Sequence, residues 1–232
     1  MNALWTQLAA AAGLSLSESQ HALLHRYLDL LLEANKTMNL TRIEDRATAE
    51  ILHIADALTL LPYLPQDPHR LADVGSGGGV PGIPLAIARP DAQVFLLEST
   101  KKKAAFLDRT ATTLALSNIR VLPDRAEDIA HSDLRESFDI VTARAVGAMN
   151  LLVEWCLPLL KTGGKLLAMK GAKLAEELPA ADNAIGLLNG GPPITHPVQL
   201  PGTENHAIVE VPKLGRTDPR YPRPASQAKK SL

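Results

Sequence analysis

The sequence has one cysteine, few aromatic residues and almost no net charge, and each shortage excludes a class of protein. Cys156 has no second cysteine with which to form an internal disulfide, as is usual in a reducing compartment. Aromatic residues make up 3% of the chain, which leaves few side chains on which nucleic-acid bases could stack. The formal net charge is −1, so any contact with nucleic acid must come from a local basic patch.

Long uncharged apolar runs are also missing, and the first dozen residues lack the basic-then-apolar order of a signal peptide. We therefore expect a cytoplasmic protein with no membrane contact and no obligate protein partner. His21 and His25 share a helix face but have no third ligand beside them, so we expect a solvated surface there and no metal site. The hydrophobic content of 46% is sufficient for one globular core with an appendage.

The most informative stretch that is present covers residues 70–82, RLADVGSGGGVPG. A short apolar run with one acid, Asp73, opens into glycines and is followed by an alanine- and isoleucine-rich segment. This order predicts a strand, a glycine turn and a helix. Glycine permits positive φ and lets a ligand approach backbone N–H groups, and the helix start adds unpaired donors. We therefore expect the turn to bind a polar ligand.

A dinucleotide is one candidate for that ligand. Gly77, Gly79 and Gly82 satisfy the pattern G-x-G-x-x-G. Glu98 lies at about the distance expected of the acid that binds a ribose hydroxyl. A nicotinamide- or flavin-dependent oxidoreductase would share both features.

Three features favour S-adenosyl-L-methionine (SAM) instead. Counted from the first glycine after the strand, Gly75, the third glycine position is occupied by Val80. Asp73 can face the ammonium or sulfonium end of SAM but would repel a pyrophosphate. Pro81 and Pro84 remove N–H donors that a pyrophosphate needs. SAM has no phosphate, so it loses nothing at these positions.

Along the rest of the chain, strand and helix patterns alternate, which predicts an α/β, Rossmann-like, doubly wound sheet. An N-terminal helical extension precedes it, with a capping box at Ser17 and Gln20 and a second helix over about 45–61. We divide the chain into the extension at 1–64, a SAM-binding domain at 65–215 and a basic tail at 216–232. After the glycine turn, the predicted strands cover residues 93–98, 119–122, 138–145, 165–170 and 206–211, with helices over 101–116 and 151–160.

Several polar side chains follow these predicted strands and would meet at one edge of the sheet. Glu98 is expected to accept both ribose hydroxyls; the alternative is an exposed strand-end acid. The acidic turn at 124–128 would lie against the adenine. Arg144 could bind the SAM carboxylate, a substrate phosphate or the base, or form a salt bridge with Asp73 or Glu127. His53 and Asp56, three apart on one helix face, are interpreted as an intrahelical hydrogen bond rather than as contacts of the site.

Basic residues are concentrated in two places. Lys101, Lys102 and Lys103 open a helix, as a solvated face or as contacts for an anionic partner. Residues 213–232 carry six basic side chains against one acid, which suits RNA contact better than a solubilising tail. Lys170 or Lys173 would frame the same face. Truncation after Tyr221 should therefore weaken RNA binding and leave SAM binding intact.

A set of ordered motifs closely resembles the RsmG (GidB) family. The motifs are NLT at 39–41, HIADAL at 53–58, DVGSGGGVPGIPLAIARP at 73–90, RAED at 125–128, TARAV at 142–146, EWCLPLLKTGG at 154–164 and AMKG at 168–171. The resemblance implies a class I SAM-dependent methyltransferase that modifies N7 of a guanosine in bacterial small-subunit (16S) ribosomal RNA, as naked RNA or in a ribosomal particle. At the C-terminus, residues 224–232 depart from the family pattern.

The resemblance also implies a cofactor pocket that includes Gly75, Val80, Ala126, Glu127 and Arg144, with Glu98 at the ribose-binding position. The glycine turn itself adds Asp73 and Gly77 to the expected cofactor-binding residues. The distribution of basic residues, and not the resemblance, suggests contacts to RNA from Lys101, Lys102, Lys170, Arg220 and Arg223. Arg144 would orient cofactor or substrate, and no general base is expected.

The expected chemistry agrees with what the sequence does not contain. Guanine N7 bears a lone pair and no proton, so its methylation needs no base, and alignment provides the acceleration. Methylation of pyrimidine C5 would need a positioned cysteine, and Cys156 falls in a predicted buried helix. An oxidoreductase and a non-catalytic SAM- or nucleotide-binding protein are the alternatives.

Overall fold

The computed structural model describes residues 1–224 and contains a seven-stranded sheet in the order β3-β2-β1-β4-β5-β7-β6. The strands are β1 (Arg70–Val74), β2 (Gln93–Leu97), β3 (Ile119–Leu122), β4 (Phe138–Arg144), β5 (Leu160–Lys170), β6 (Ile194–Pro197) and β7 (Ala207–Pro212). Strands β1 to β5 are parallel, whereas β7 runs antiparallel to both β5 and β6. The strand order reverses between β1 and β4, which opens a crevice at their carboxyl ends.

Helices cover both faces of the sheet. They are α1 (Ala3–Ala11), α2 (Glu18–Met38), α3 (Arg46–Ala49), α4 (Asp56–Leu58), α5 (Gly82–Ala88), α6 (Lys101–Thr113), α7 (Ala126–Ile129), α8 (Met149–Cys156) and α9 (Leu174–Leu187). One apolar cluster joins α1, α2, α4, α5 and α6 to one face, and a second joins α7, α8 and α9 to the other. This architecture confirms the predicted α/β fold of class I methyltransferases.

The N-terminal helices share their core with the sheet. Ser17 and Gln20 form the predicted capping box at the start of α2. Trp5 of α1 is fully buried and belongs to the same apolar cluster as Leu71 of β1 and Ile208 of β7. Residues 1–64 therefore belong to the same apolar core as the sheet, and their helices pack mainly on α5 and α6. The division of the chain at 64 and 215 stays a prediction.

Two local expectations are corrected. The helix predicted over 45–61 is interrupted, because a π-helical segment, Glu50–Ala55, lies between α3 and α4. His21 is buried rather than solvated, since α1 packs over it and its ring stacks on Trp5 at 5.9 Å; His25 is partly buried by the same tryptophan. Sequence analysis did not predict α1, α9 or β6.

Cys156 lies in the core between α8 and the sheet, as expected from its apolar surroundings. Its side chain has no exposed surface, and burial raises the pKa of the thiol far above its usual value. The Cys156 thiol therefore contributes to packing of the core and does not act as a nucleophile. Within residues 1–224, none of the helices combines the length and the apolar character that crossing a membrane requires.

Candidate functional site

A cavity of about 900 Å³ opens at the carboxyl edge of the sheet. The glycine loop after β1 and the ends of β2, β4 and β5 form its floor, and the segment from Leu40 to Asp56 forms part of its wall. The start of β7 closes the far side with His206 and Ala207. The cavity therefore lies where the strand order reverses, which is the usual binding position in this type of fold.

The glycine loop has backbone conformations that other residues rarely adopt. Gly75 has φ +69° and Gly77 has φ +55°. A Cβ on Gly75 would lie 2.8 Å from the side chain of Val146, whereas a Cβ on Gly77 would meet only the Gly75 carbonyl oxygen at 3.8 Å. Gly75 is thus required for packing beneath the loop. Gly77 lines the cavity, and because it has no side chain a ligand can approach its backbone closely.

Glu98 follows β2 and holds the loop in place. Its Oε2 accepts a hydrogen bond from the Gly77 N–H at 2.9 Å, and its Oε1 accepts one from the Thr100 N–H at 2.8 Å. Each carboxylate oxygen can accept a further hydrogen bond. Glu98 lines the cavity, as expected for an acid at this strand end, and Val80 lines it as well.

Asp73 does not face the cavity, contrary to the sequence-based expectation. Its Oδ2 accepts from the Gly82 N–H at 3.1 Å and its Oδ1 from the Thr142 hydroxyl at 3.0 Å. Burial raises the pKa of Asp73 to about 6, although these hydrogen bonds oppose the rise. The carboxylate ties the start of α5 to β1 and β4 beneath the glycine loop.

Ala126 and Glu127, expected against an adenine, begin α7 on the same edge of the sheet but do not line the cavity. Both residues are buried. Among the residues that the structure describes, Glu127 Oε1 has no hydrogen-bond partner, which is costly for a buried carboxylate oxygen.

Arg144 ends β4 and projects into the cavity wall. Its Nη1 donates to the Leu52 carbonyl at 2.7 Å and to Asp56 Oδ2 at 3.1 Å, and its Nη2 lies 3.1 Å from His53 Nδ1. The salt bridge given above as an alternative does form, but its acid is Asp56 and not Asp73 or Glu127. The partners of Arg144 come from the N-terminal extension, and they fix the plane of the guanidinium.

His53 is neutral in this network. Burial and, to a smaller extent, the charge of Arg144 lower the pKa of the imidazole to about 4. Because an arginine only donates, His53 Nδ1 accepts from Arg144, and Nε2 donates to the Thr41 hydroxyl at 3.0 Å. His53 therefore bridges two residues of the cavity wall, and the expected intrahelical hydrogen bond with Asp56 is wrong.

Asp56 is the functional candidate that sequence reasoning undervalued. Its side chain lines the cavity, yet the residue is only 2% exposed. Oδ2 is paired with Arg144, whereas Oδ1 has no hydrogen-bond partner within residues 1–224 and lies 3.9 Å from His206 Nδ1. The spacing of His53 and Asp56 was the available signal, but it did not indicate which way the two side chains face.

The lysines expected to contact RNA differ in their surroundings. Lys170 forms an ion pair with Glu177 at 2.5 Å and donates to the Gly147 carbonyl at 2.8 Å, so two of its three donors stabilise the cavity wall. Lys101 and Lys102 are exposed in the first turn of α6. Lys103 of the same turn lines the cavity.

Of the C-terminal basic residues that the structure describes, Lys213 and Arg223 are engaged within the protein, whereas Arg216 and Arg220 are exposed, and the expected RNA contact of this segment stays a prediction. Lys213 is buried, and its ammonium donates to the Leu188 carbonyl at 2.8 Å. Arg223 binds Glu154 through its backbone N–H, Nε and Nη2, each at 2.8 Å. Arg220 pairs with Asp218 at 3.3 Å and covers the Tyr221 ring. Lys229 and Lys230 lie outside the described residues.

Solved structures share this fold. One is a 16S rRNA (adenine(1408)-N(1))-methyltransferase from Catenulisporales acidiphilia, with a TM-score of 0.52 and 15% identity over 65% of this chain and 87% of that one. Another is M. jannaschii TYW2 in complex with AdoMet, with a TM-score of 0.50 and 16% identity over 64% of this chain and 70% of that one. At these identities the likeness concerns the fold alone.

Sequence relatives are much closer. The chain is 42% identical over 214 residues to ribosomal RNA small subunit methyltransferase G of Chloroflexus aggregans, covering 92% of this chain and 90% of the relative. It is 42% identical over 214 residues to the protein of the same name from Geobacillus thermodenitrificans, and the match covers 91% of this chain and 90% of that relative. A family model described as rRNA small subunit methyltransferase G matches residues 20–197. The chain therefore belongs to the GidB family.

Proposed function

We propose that the protein transfers the methyl group of SAM to N7 of a guanosine in small-subunit ribosomal RNA. Membership of the GidB family makes it a SAM-dependent methyltransferase. When bound, SAM supplies an electrophilic methyl group on a positively charged sulfur. The observation that carries the proposal is the pairing of Glu98 with the Gly77 N–H at the mouth of an open glycine loop.

The residues of the cavity fit a nucleoside with an amino-acid end. Glu98 keeps acceptor capacity on both oxygens, which suits two ribose hydroxyls. Gly77 leaves room for close approach to the backbone, and Arg144 offers positive charge to a carboxylate. An adenine that extends beyond the cavity to the start of α7 would satisfy Glu127 Oε1, which has no hydrogen-bond partner among residues 1–224. Asp73 supports the loop in this arrangement.

The role of the protein in the reaction is alignment. Guanine N7 has no proton to lose, so no residue has to act as a base. His53 is neutral, but both of its ring nitrogens are engaged with Arg144 and Thr41. Arg144 is held by three acceptors and cannot rotate without breaking them. Such fixed positioning is worth several kcal/mol, about 7–11 in well-oriented systems.

A dinucleotide-dependent oxidoreductase is disfavoured by the start of α5. In dinucleotide-binding folds the pyrophosphate accepts hydrogen bonds from N–H groups at this helix start. Here the Gly82 N–H is already bonded to Asp73, and Pro81 has no N–H to offer. The buried carboxylate would also repel a diphosphate placed above it.

For the RNA, we propose a cytoplasmic encounter in which Lys101 and Lys102, exposed on α6 near the cavity, contact phosphates. The substrate would be an assembling small-subunit particle or its naked RNA. To test this, the protein is incubated with radiolabelled SAM and either the small-subunit particle or its naked RNA. Both substrates are taken from cells that lack this modification, and the labelled nucleotide is then mapped. A label on guanine N7 supports the proposal, and binding of NAD without binding of SAM contradicts it.

Two glycine variants test the cofactor site independently of turnover. Gly77→Ala places a Cβ toward the cavity, whereas Gly13→Ala changes a glycine of similar conformation, φ +74°, with nothing within 4 Å. Both carry a strain of about 1–2 kcal/mol. We expect only Gly77→Ala to weaken binding of S-adenosylhomocysteine, by about tenfold in calorimetry. Equal affinity of the two variants would place the cofactor elsewhere.

A further inference from the structure

The unpartnered oxygen of Asp56 is the feature of the cavity that the proposed function has not used. The residue is 2% exposed, and Oδ1 has no hydrogen-bond partner in the part of the chain that the structure describes. His206 Nδ1, at 3.9 Å, is too far for a hydrogen bond. A buried carboxylate oxygen left in this state is costly unless a ligand satisfies it.

The position of this oxygen separates it from the ribose-binding acid. Glu98 follows β2, on one side of β1, whereas His206 precedes β7, beyond β4 and β5. Asp56 lies between them: Oδ2 pairs with Arg144 at the end of β4, and Oδ1 is the oxygen near His206. The free oxygen is therefore near the start of β7, where His206 and Ala207 line the cavity. A nucleoside held by Glu98 would leave that side open to the substrate.

We propose that Asp56 is a specificity-determining residue whose Oδ1 accepts hydrogen bonds from the N1–H and N2 amino group of the target guanine. This inference rests on the proposed function. Guanine is the RNA base that presents two adjacent N–H donors on its Watson–Crick edge. Adenine N1 and cytosine N3 are hydrogen-bond acceptors, so their lone pairs would be repelled by the Asp56 carboxylate. The Watson–Crick edge is also remote from N7, so reading it leaves the reacting atom free.

Arg144 acts as the positioning residue for this contact. It holds Oδ2 of Asp56 and is itself fixed by the Leu52 carbonyl and His53, so the direction of the free oxygen is set before any base arrives. A prearranged acceptor discriminates strongly, because the wrong base leaves it unpaired. Adenine also carries an N7 lone pair, and this contact is what would exclude it.

The test compares small-subunit RNA carrying guanosine with RNA carrying inosine at the mapped position. Inosine keeps N7, O6 and N1–H and lacks only the N2 amino group. For the wild-type protein we expect kcat/KM to fall at least about tenfold with inosine. Equal values for the two RNAs would overturn the proposal without the use of any variant.

Asp56→Asn and a matched control, Asp45→Asn, complete the test. Asp45 is an exposed cap of α3 and lies outside the cavity. We expect Asp56→Asn to lower kcat/KM at least about tenfold on guanosine RNA and much less on inosine RNA, and Asp45→Asn to change neither. An equal loss on both RNAs would mean a merely structural role and would overturn the proposal.

Two further outcomes distinguish failure of the guanine contact from failure of the proposed methyl transfer. If Asp56→Asn weakens calorimetric binding of S-adenosylhomocysteine about tenfold while Asp45→Asn does not, Asp56 faces the amino group of the cofactor, and the guanine contact is refuted. If the wild-type protein methylates neither RNA, the proposed function itself fails. Methylation of guanosine RNA at an unchanged rate by Asp56→Asn refutes the specificity role alone.

Discussion

Two arginine–carboxylate pairs in this protein differ in how completely the acid is satisfied. Glu154, 1% exposed, receives three hydrogen bonds from Arg223, and both of its oxygens are used. Asp56, 2% exposed, receives one from Arg144 at Oδ2, and Oδ1 has no hydrogen-bond partner in the described part of the chain. The first pair anchors the end of the described chain to α8. The second lies in the wall of the cavity.

The difference indicates what each pair is for. A buried carboxylate with both oxygens paired within the protein contributes to the fold and gains little from a ligand. A buried carboxylate with one oxygen unpaired costs stability in the free protein, and that cost is recovered on binding. Similar residue types thus serve anchoring in one region and recognition in the other.

Substitution of lysine for Arg144 and for Arg223 is expected to give the largest difference in activity between the two pairs. Lysine keeps the charge but loses the forked donors. We expect Arg144→Lys to lower kcat/KM by about 100-fold, because the guanidinium plane that fixes the site is lost. Arg223→Lys should leave the activity of the folded enzyme unchanged. Steady-state kinetics with mapped RNA checks both, and a comparable loss of activity in Arg223→Lys would erase the distinction.

Removal of the charge measures the anchoring pair directly. Arg223→Met leaves Glu154 buried and uncompensated, so we expect the free energy of unfolding to fall by about 3 kcal/mol. Arg216→Met is the matched control, since the Arg216 side chain is 86% exposed in its pair with Glu136 and should contribute less than about 1 kcal/mol. Urea denaturation compares the two. A loss in Arg216→Met as large as that in Arg223→Met would show that burial does not decide the difference.

A pH titration tests the histidine that supports the cavity pair. The pKa of His53 is about 4 in the folded protein against 6.5 when unfolded, so the unfolded chain takes up the proton first. Stability that is present above pH 6.5 is therefore lost as the pH falls to 4. At about 1.4 kcal/mol per pH unit, the wild type should lose about 3 kcal/mol more than His53→Gln.

Asp73 acts in the opposite direction in the same range. Its pKa is raised to about 6 from 3.8, so its contribution is present at low pH and is lost as the pH rises through 6. Both proteins carry Asp73, and its effect cancels when their unfolding free energies are subtracted. A difference that stays constant between pH 4 and 7 would contradict a neutral, buried His53.

The smallest expected effect concerns the last residues. Truncation after Tyr221 removes Arg223 and breaks the anchoring pair, so a loss of RNA binding would be confounded by lost stability. Truncation after Pro224 keeps the pair and removes Lys229 and Lys230. We expect RNA affinity to fall about threefold at low salt, with a shallower salt dependence. Unchanged affinity would leave RNA contact to other residues.

Much of the fold was predictable because its signals are local. The strand, glycine turn and helix over residues 70–88 are adjacent in sequence, and Glu98 follows the next strand directly. Alternation of strands and helices then predicted the sheet. The helix α1 was not predicted, because its short, alanine-rich sequence is held in place mainly by the burial of Trp5.

The wall of the site was not predictable in the same way. Arg144 and Asp56 are 88 residues apart, and no local pattern links them. Asp73 precedes the glycines in sequence, but its side chain points beneath the loop to Gly82 and Thr142. The formal charge of Lys213 also wrongly suggested a contact with RNA. Burial lowers the pKa of its ammonium to about 8, and the ammonium donates to groups within the protein.

One hydrogen bond of the extension has a practical consequence. The buried Tyr27 of α2 donates its hydroxyl to the Gly78 carbonyl at 2.8 Å. The shape of the glycine turn is thus braced by a helix that ends more than 30 residues earlier in the chain. A fragment starting at residue 65 would lose this brace and expose the apolar side chains of β1 and α5, so we expect it to aggregate when expressed alone.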